Sequence, residues 1–292
     1  RVLFRSAAQD ITAIVAGPAG SQTDVNARVL LKRYDEVFGT SSIVVNRPGA
    51  NGQIGIASII RESKLPHQGM MLLFATHSAI LDASADNMSQ LSPVVRTLHN
   101  PFVLYVRKNF PADTFTEFVA YAKANPGKVN IGGYAGMMPL HLATEEKNKY
   151  TTTPIIYNGR PEIDVASGVL DGGWHFESAI VNTGFADKVK ILASTNCSVT
   201  GHLGPKAIYG TDRRIGCFYL LSSIWASASA SSQDIEAMNT RINALMHSEW
   251  GKTTFIKRGG VIAGGSTEDL RIEATRIRTE WQRYKDKHGD KK

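Results

Sequence analysis

Asn46-Arg47-Pro48-Gly49-Ala50-Asn51-Gly52, read with Gly20-Ser21-Gln22-Thr23-Asp24 upstream, decides the fold of this chain. Each stretch belongs to a glycine-bearing turn between an apolar, β-branched run and an amphipathic helical pattern. Residues 11–16 (ITAIVA) lead into the turn at 17–20, and residues 42–46 (SIVVN) lead into the turn at 48–52. Strand, glycine turn and helix start together present unpaired backbone N–H groups to an anion. Two such units near the start of the chain point to a protein that holds a small acid rather than one that reacts with it.

The same alternation continues outward. Ala27, Leu30, Leu31, Tyr34 and Phe38 recur at helical spacing, Gly39 stands where a C-terminal cap belongs, and Asp24 suits the positive end of that helix. A second helix is predicted over 53–62, a buried strand over 70–75, a strand over 102–106 and a helix over 113–125, stopped by Asn125-Pro126-Gly127. Residues 129–132 read as a strand, 138–148 as a helix, 154–157 and 188–193 as extended, and 218–225 as a strand. A helix then starts near Ser231 or Ser232. A last one follows Ser266-Thr267-Glu268-Asp269, with Leu270, Ala274, Ile277, Trp281 and Tyr284 facing inward. Trp225 and Trp281 read as core. Repeated strand–helix alternation predicts mostly parallel sheets. No Pro- or Gly-rich linker divides the chain, so two interleaved α/β lobes are expected, with crossings near 98–106 and 222–227. Lobe 1 is assigned 7–100 and 226–292, and lobe 2 is assigned 101–225.

Composition narrows the function. Hydrophobic residues are 42% of the 292, enough for a large core, yet no apolar run approaches the ~20 residues a membrane-spanning helix needs. The net charge is +7, but the basic residues are spread along the chain and even the tail carries Asp286 and Asp290. That is a solvated basic surface that attracts anions, not a nucleic-acid footprint. Residues 1–6 (RVLFRS) have neither a Met start nor the build of a signal peptide and are expected to be non-native. Cys197 and Cys217 have no CxxC partner and form a candidate disulfide for an oxidising compartment. Gly49, Gly52 and Gly55 are spaced GxxGxxG rather than GxGxxG. The phosphate-loop, HExxH and GxSxG patterns are all missing. No catalytic residue, cofactor or metal is expected.

Five segments carry a resemblance. Residues 14–28 (IVAGPAGSQTDVNAR), 45–52 (VNRPGANG), 124–132 (ANPGKVNIG), 141–143 (HLA) and 168–171 (GVLD) are similar to signatures of the extracytoplasmic solute receptors of the tripartite tricarboxylate transporter system, the Bug-type receptors. Tyr157-Asn158-Gly159 resembles a further family turn, and the similarity runs from about residue 10 to the C-terminus, more loosely in the second half. The resemblance implies a two-lobed periplasmic-binding-protein fold of type II. Each lobe would be a mostly parallel sheet flanked by helices, and the protein would close on a ligand in the cleft between them. It also implies a small carboxylate ligand held by backbone N–H groups of two loops, one per lobe. The protein would be a periplasmic monomer that delivers its ligand to membrane permease subunits.

By motif position, the resemblance places the ligand-binding residues of loop one at Gly17, Pro18, Ala19, Gly20, Ser21, Thr23 and Asp24. Loop two comprises Tyr134, Ala135, Gly136, Met137 and Met138. Thr76, His77 and Ser78 follow the third strand of the same lobe as loop one, and Tyr157 and His175 face the cleft from the other lobe. Each has a plainer reading: Asp24 as a helix-start carboxylate, Met137 and Met138 as core, and His77 and His175 as satisfied histidines. The chain departs from the family at Gly17, where an aromatic is expected, at Ser21 in place of a glycine, and at the apolar second loop. These departures imply a ligand with one carboxylate and a bulkier or less polar remainder. A ligand-sensing receptor in signalling, an orphan paralogue with an altered site, and an α/β enzyme acting on a carboxylate remain open alternatives.

Overall fold

The computed structural model describes residues 10–65, 69–133, 137–157, 161–182, 184–195, 219–256 and 260–288. They fall into two compact units. The first draws on Arg1–His99, Leu221–Thr254 and Ile262–Lys291, and the second on Asn100–Leu220 and Phe255–Val261.

Unit 1 opens with β1 (Asp10–Val15), α1 (Gln22–Phe38), β2 (Ser41–Asn46), α2 (Gln53–Glu62), β3 (Met70–Ala75), α3 (His77–Asp82) and α4 (Ala85–Ser89). Ser21 starts α1 by accepting the Asp24 N–H, and Gly39, at φ 68°, ends it in the left-handed conformation. Asp35 then accepts from the Thr40 and Ser42 hydroxyls and turns the chain into β2. β1 pairs in parallel with β2 and β3, and Val15 stands opposite both Asn46 and Phe74. The C-terminal ends of the three strands are therefore level, and the loops at 16–21, 47–52 and 76–78 share one edge of the sheet.

β4 (Leu91–Arg107) carries the chain into unit 2, which continues with α5 (Phe115–Ala124), β5 (Asn130–Gly133), α6 (Met138–Asn148), β6 (Thr153–Ile156), α7 (Pro161–Ser167), β7 (Gly172–Phe176), α8 (Glu177–Asn182) and β8 (Val189–Ser194). β9 (Tyr219–Ser227) returns to unit 1, which is completed by α9 (Ser232–His247), α10 (Glu249–Phe255), β10 (Val261–Ile262) and α11 (Thr267–His288). The strand order is β2-β1-β3-β9-β4 in unit 1 and β4-β7-β5-β6 in unit 2, with β10 and β8 on β4.

The sheets are less parallel than alternation alone predicts. β9 is antiparallel to β3, and β4 is antiparallel to β7 and β8. These are the strands that lead the chain out and back, so no helical crossover forces them into the common direction.

Ile14, Leu73, Ile56, Ile80, Trp225 and Leu270 share the core of unit 1, while Phe102, Phe115, Phe118 and Trp174 anchor that of unit 2. At the start of α11, Ser266 and Asp269 cap one another: Ser266 N–H donates to Asp269 Oδ2 at 2.8 Å and Asp269 N–H to Ser266 Oγ at 3.1 Å. Leu270, Ala274 and Ile277 face inward as expected. Trp281 does not reach the core. It stays half-buried because its indole N–H is held by Asp82 at 3.2 Å. Among the described residues no helix is long and apolar enough to cross a membrane.

Candidate functional site

Loop one sits at the C-terminal edge of the unit 1 sheet, with Pro18, Ala19 and Gly20 exposed at its tip and Gly17 buried at its base. The strand ends beneath it are laced together: Ala16 N–H donates to Phe74 O at 3.1 Å and Arg47 N–H to Val15 O at 2.9 Å. Gly20 has φ +78°, a conformation that favours glycine. A Cβ on Gly17 would stand 3.1 Å from Ser21 Oγ, so the aromatic expected there meets the N-cap hydroxyl.

The Ser21 hydroxyl accepts the Asp24 N–H at 3.3 Å. Asp24, only 3% exposed, turns its carboxylate back onto the loop, where Oδ2 accepts the Gly20 N–H at 2.8 Å and Oδ1 accepts from Arg28 and Asn46. Burial alone would raise its pKa, but the Gly20, Asn46 and Arg28 donors outweigh burial and hold the carboxyl below its usual value. The Gln22 and Thr23 amides, in the first turn of α1, meet no acceptor among the described residues. Asn46 and Arg28 were absent from the sequence-derived site. The four-residue spacing of Asp24 and Arg28 was the one local signal for them.

Beside this loop, Thr76 caps α3 by accepting the Ala79 N–H at 3.3 Å and shares a 3.0 Å hydrogen bond with Ser78. His77 is buried and its Nδ1 accepts the Leu221 N–H at 3.3 Å, which requires that nitrogen unprotonated. Burial pushes its pKa down to about 4; Glu273 opposes the shift, and Arg276 and His99 reinforce it. Glu273 accepts from His99 at 3.0 Å and Arg96 at 3.1 Å. Burial would raise its pKa, but those donors prevail and lower it to about 2.

Both shifts destabilise the protein in acid. The unfolded His77 takes up its proton near the ordinary value of 6.5 and the folded one only near 4. Its full contribution is therefore present above pH 6.5 and is lost as the pH falls towards 4, a change of about 3 kcal/mol. Glu273 adds a further loss below 4.5. Urea midpoints measured from pH 7 to 4 are expected to fall steeply in the wild type and less steeply in His77→Gln. Parallel slopes would refute the assignment to His77.

In unit 2 the parallel strands β5 and β6 likewise end together, with Gly133 opposite Ile156, while β7 pairs with β5 at Ile131 and Gly132 and runs on to Phe176. Tyr134, Ala135 and Gly136 lie outside the described residues, as do the Met138 side chain, Cys197, Cys217 and residues 1–6. Met137 is 2% exposed and packs in the core with Leu140 and Trp174, in keeping with its plainer reading as core. Its helix α6 has no side-chain cap at Met137 and carries Pro139 in its first turn.

Tyr157 N–H donates to Gly133 O at 2.8 Å, and its hydroxyl donates to Asp164, which pushes its pKa up. His175 is buried on β7, with Nδ1 accepting the Phe176 N–H at 2.8 Å and Nε2 3.8 Å from Glu162. Behind α6 runs a buried relay. Trp174 Nε1–H donates to His141 Nδ1 at 3.1 Å, so His141 carries its proton on Nε2, 2.8 Å from Thr152 Oγ1. Thr152 Oγ1 in turn donates to Glu145 Oε1 at 2.6 Å. Among the described residues no cluster of His, Cys, Asp or Glu could hold a metal.

Comparison with known proteins adds to this geometry. The model of the tripartite tricarboxylate transporter family receptor matches residues 26–167. This stretch of the chain is similar to that receptor family. It is 31% identical over 159 residues to the UPF0065 protein in the gbd 5′ region of Cupriavidus necator, a match covering 52% of this chain and 48% of that protein. The chain thus spans about half the length of that relative. BugT of Bordetella pertussis is 26% identical over 86% of this chain and 81% of its own.

Among solved structures, Rhodopseudomonas palustris Rpa4515 with adipate superposes with a TM-score of 0.76 at 20% identity, covering 97% of both chains. MatC of the same organism, with bound malate, gives 0.72 at 15% identity, covering 94% of this chain and 98% of that one. The chain therefore has the fold of the periplasmic solute-binding proteins of this type.

Proposed function

We propose that this receptor captures a small organic carboxylate outside the cytoplasmic membrane and hands it, as a monomer, to the permease subunits of a tripartite tricarboxylate transporter. The supporting observation is the start of α1, where two consecutive amides, Gln22 and Thr23, meet no acceptor among the described residues beside an exposed loop tip. The first turn of a 17-residue helix carries roughly half a positive charge, so a carboxylate gains both hydrogen bonds and dipole there. In unit 2 the start of α6, where Met137 makes no side-chain cap, offers an anchor of the same kind.

In unit 1, Gly17, Pro18, Ala19, Gly20, Ser21, Thr23, Thr76 and Ser78 are assigned to ligand contact in this reading, with Asp24 and His77 behind them, since both already have protein partners. In unit 2, Tyr157 is assigned the same role, and His175 is held by its own partners. Relatives of the fold hold adipate and malate, which makes short dicarboxylates the first ligands to test and aromatic acids the second.

The test is a thermal-shift titration with adipate, malate, citrate and benzoate. A ligand of this site raises the melting temperature in a saturable way, by the equivalent of about 2.7 kcal/mol at a hundredfold excess over Kd. A melting temperature unmoved by every acid overturns the reading.

A further inference from the structure

We propose that Asp24, Arg28 and Asn46 form a charge-balanced latch that positions loop one, with Arg28 screening the ligand from the Asp24 carboxylate. The three side chains close a ring. Arg28 Nε–H donates to Asp24 Oδ1 at 2.9 Å, Asn46 Nδ2–H donates to the same oxygen at 2.9 Å, and Arg28 Nη2–H donates to Asn46 Oδ1 at 2.9 Å. From this ring two bonds reach the loop, one to each end: Gly20 N–H donates to Asp24 Oδ2 at 2.8 Å, and Asn46 Nδ2 donates to Gly17 O at 3.1 Å. Between those ends, Pro18, Ala19 and Gly20 are exposed, and the turn's own bond, Ser21 N–H to Pro18 O at 3.1 Å, is the further tie on this segment. The latch joins the two glycine-bearing segments, since Asn46 opens the Asn46–Gly52 turn while Asp24 and Arg28 stand on α1.

The arrangement carries an electrostatic consequence. Asp24 is a buried, ionised carboxylate one residue from the Thr23 amide assigned to the ligand anion. Without its partner it repels that anion at short range through a medium that screens poorly. Arg28 cancels the charge in place, and its half-exposed side chain leaves the latch open to substitution without emptying the core.

The affinity part of this inference rests on the receptor reading above, whereas the positioning part does not. Both are tested with Asp24→Asn, Arg28→Gln and the double variant. In the ligand-free protein, the Gly20 amide proton is expected to move upfield and exchange about tenfold faster in Asp24→Asn, which loses the charged acceptor. An unchanged Gly20 resonance overturns the latch.

By calorimetry with adipate and malate, Arg28→Gln is expected to bind about tenfold more weakly, and the double variant to recover most of that loss because the uncovered charge has gone. Additive losses in the double variant overturn the screening role. If the wild type binds neither acid while the Gly20 resonance responds as expected, the receptor reading and its screening corollary fail and the latch stands.

Discussion

Trp174→Ala is expected to lower the unfolding free energy by about 3–5 kcal/mol, the range for removing a fully buried aromatic side chain. Trp174 has no exposed surface and is among the largest side chains of the unit 2 core. The substitution leaves a cavity between β7 and α6, and it also orphans His141 Nδ1, the acceptor of the indole N–H. The relay through Thr152 to Glu145 is directional, so losing its first donor frees the imidazole to adopt the other tautomer. Trp174→Phe separates the two effects: it keeps most of the volume and removes the N–H, at an expected ~1–2 kcal/mol. Urea unfolding followed by circular dichroism measures both variants. A Trp174→Ala loss below about 1.5 kcal/mol would contradict the packing assignment. A Trp174→Phe protein as stable as the wild type would remove the relay from the stability account.

Gly52→Ala is expected to destabilise unit 1 by about 2–4 kcal/mol, summing the left-handed backbone penalty and local overpacking. Gly52 holds φ at +91°, and a Cβ there would lie 2.6 Å from Ala79 Cβ and 3.4 Å from Ala16 Cβ. Neither neighbour yields easily, because Ala79 stands in the first turn of α3 and Ala16, directly after β1, is tied to Phe74 O by its N–H. The turn that decides the fold in the sequence is thus also the point where the loops of the unit 1 edge are pressed together. Differential scanning calorimetry should record a fall in Tm of roughly 5–15 °C. A variant melting within a degree of the wild type would show that α3 can withdraw from the turn.

Much of this fold was legible because the signals were local. The helices at Gln53–Glu62 and Met138–Asn148 and the strand Met70–Ala75 lie where periodicity put them. The Ser231 and Ser266 starts were marked by residues that cap their own helices. Helices α3, α4, α7 and α8 were not legible, since five to seven residues complete too few turns to show a period. β4 read as its apolar core 102–106, because Pro93, Arg96, His99 and Pro101 interrupt a strand that runs from Leu91 to Arg107. At the candidate site, the glycine turn and helix start of loop one were readable. The bond between Asp24 and Asn46, which are 22 residues apart, was not, since it exists only once β2 lies beside β1. Met137 followed the same logic: helical spacing left core and loop edge equally open, and only its packing in the fold shows it buried.

The unequal division of the chain has a consequence for its biosynthesis. Unit 2 draws nearly all its residues from one stretch, Asn100–Leu220, so its core can close soon after that stretch leaves the ribosome. β1, β2 and β3 of unit 1 are made before unit 2, yet their core also needs Trp225 from β9 and Leu270, Ala274 and Ile277 from α11. These strands must therefore wait for α11, open to chaperones and proteases in the interval. A nonsense mutation or proteolytic nick just before α11 injures strands made long before it.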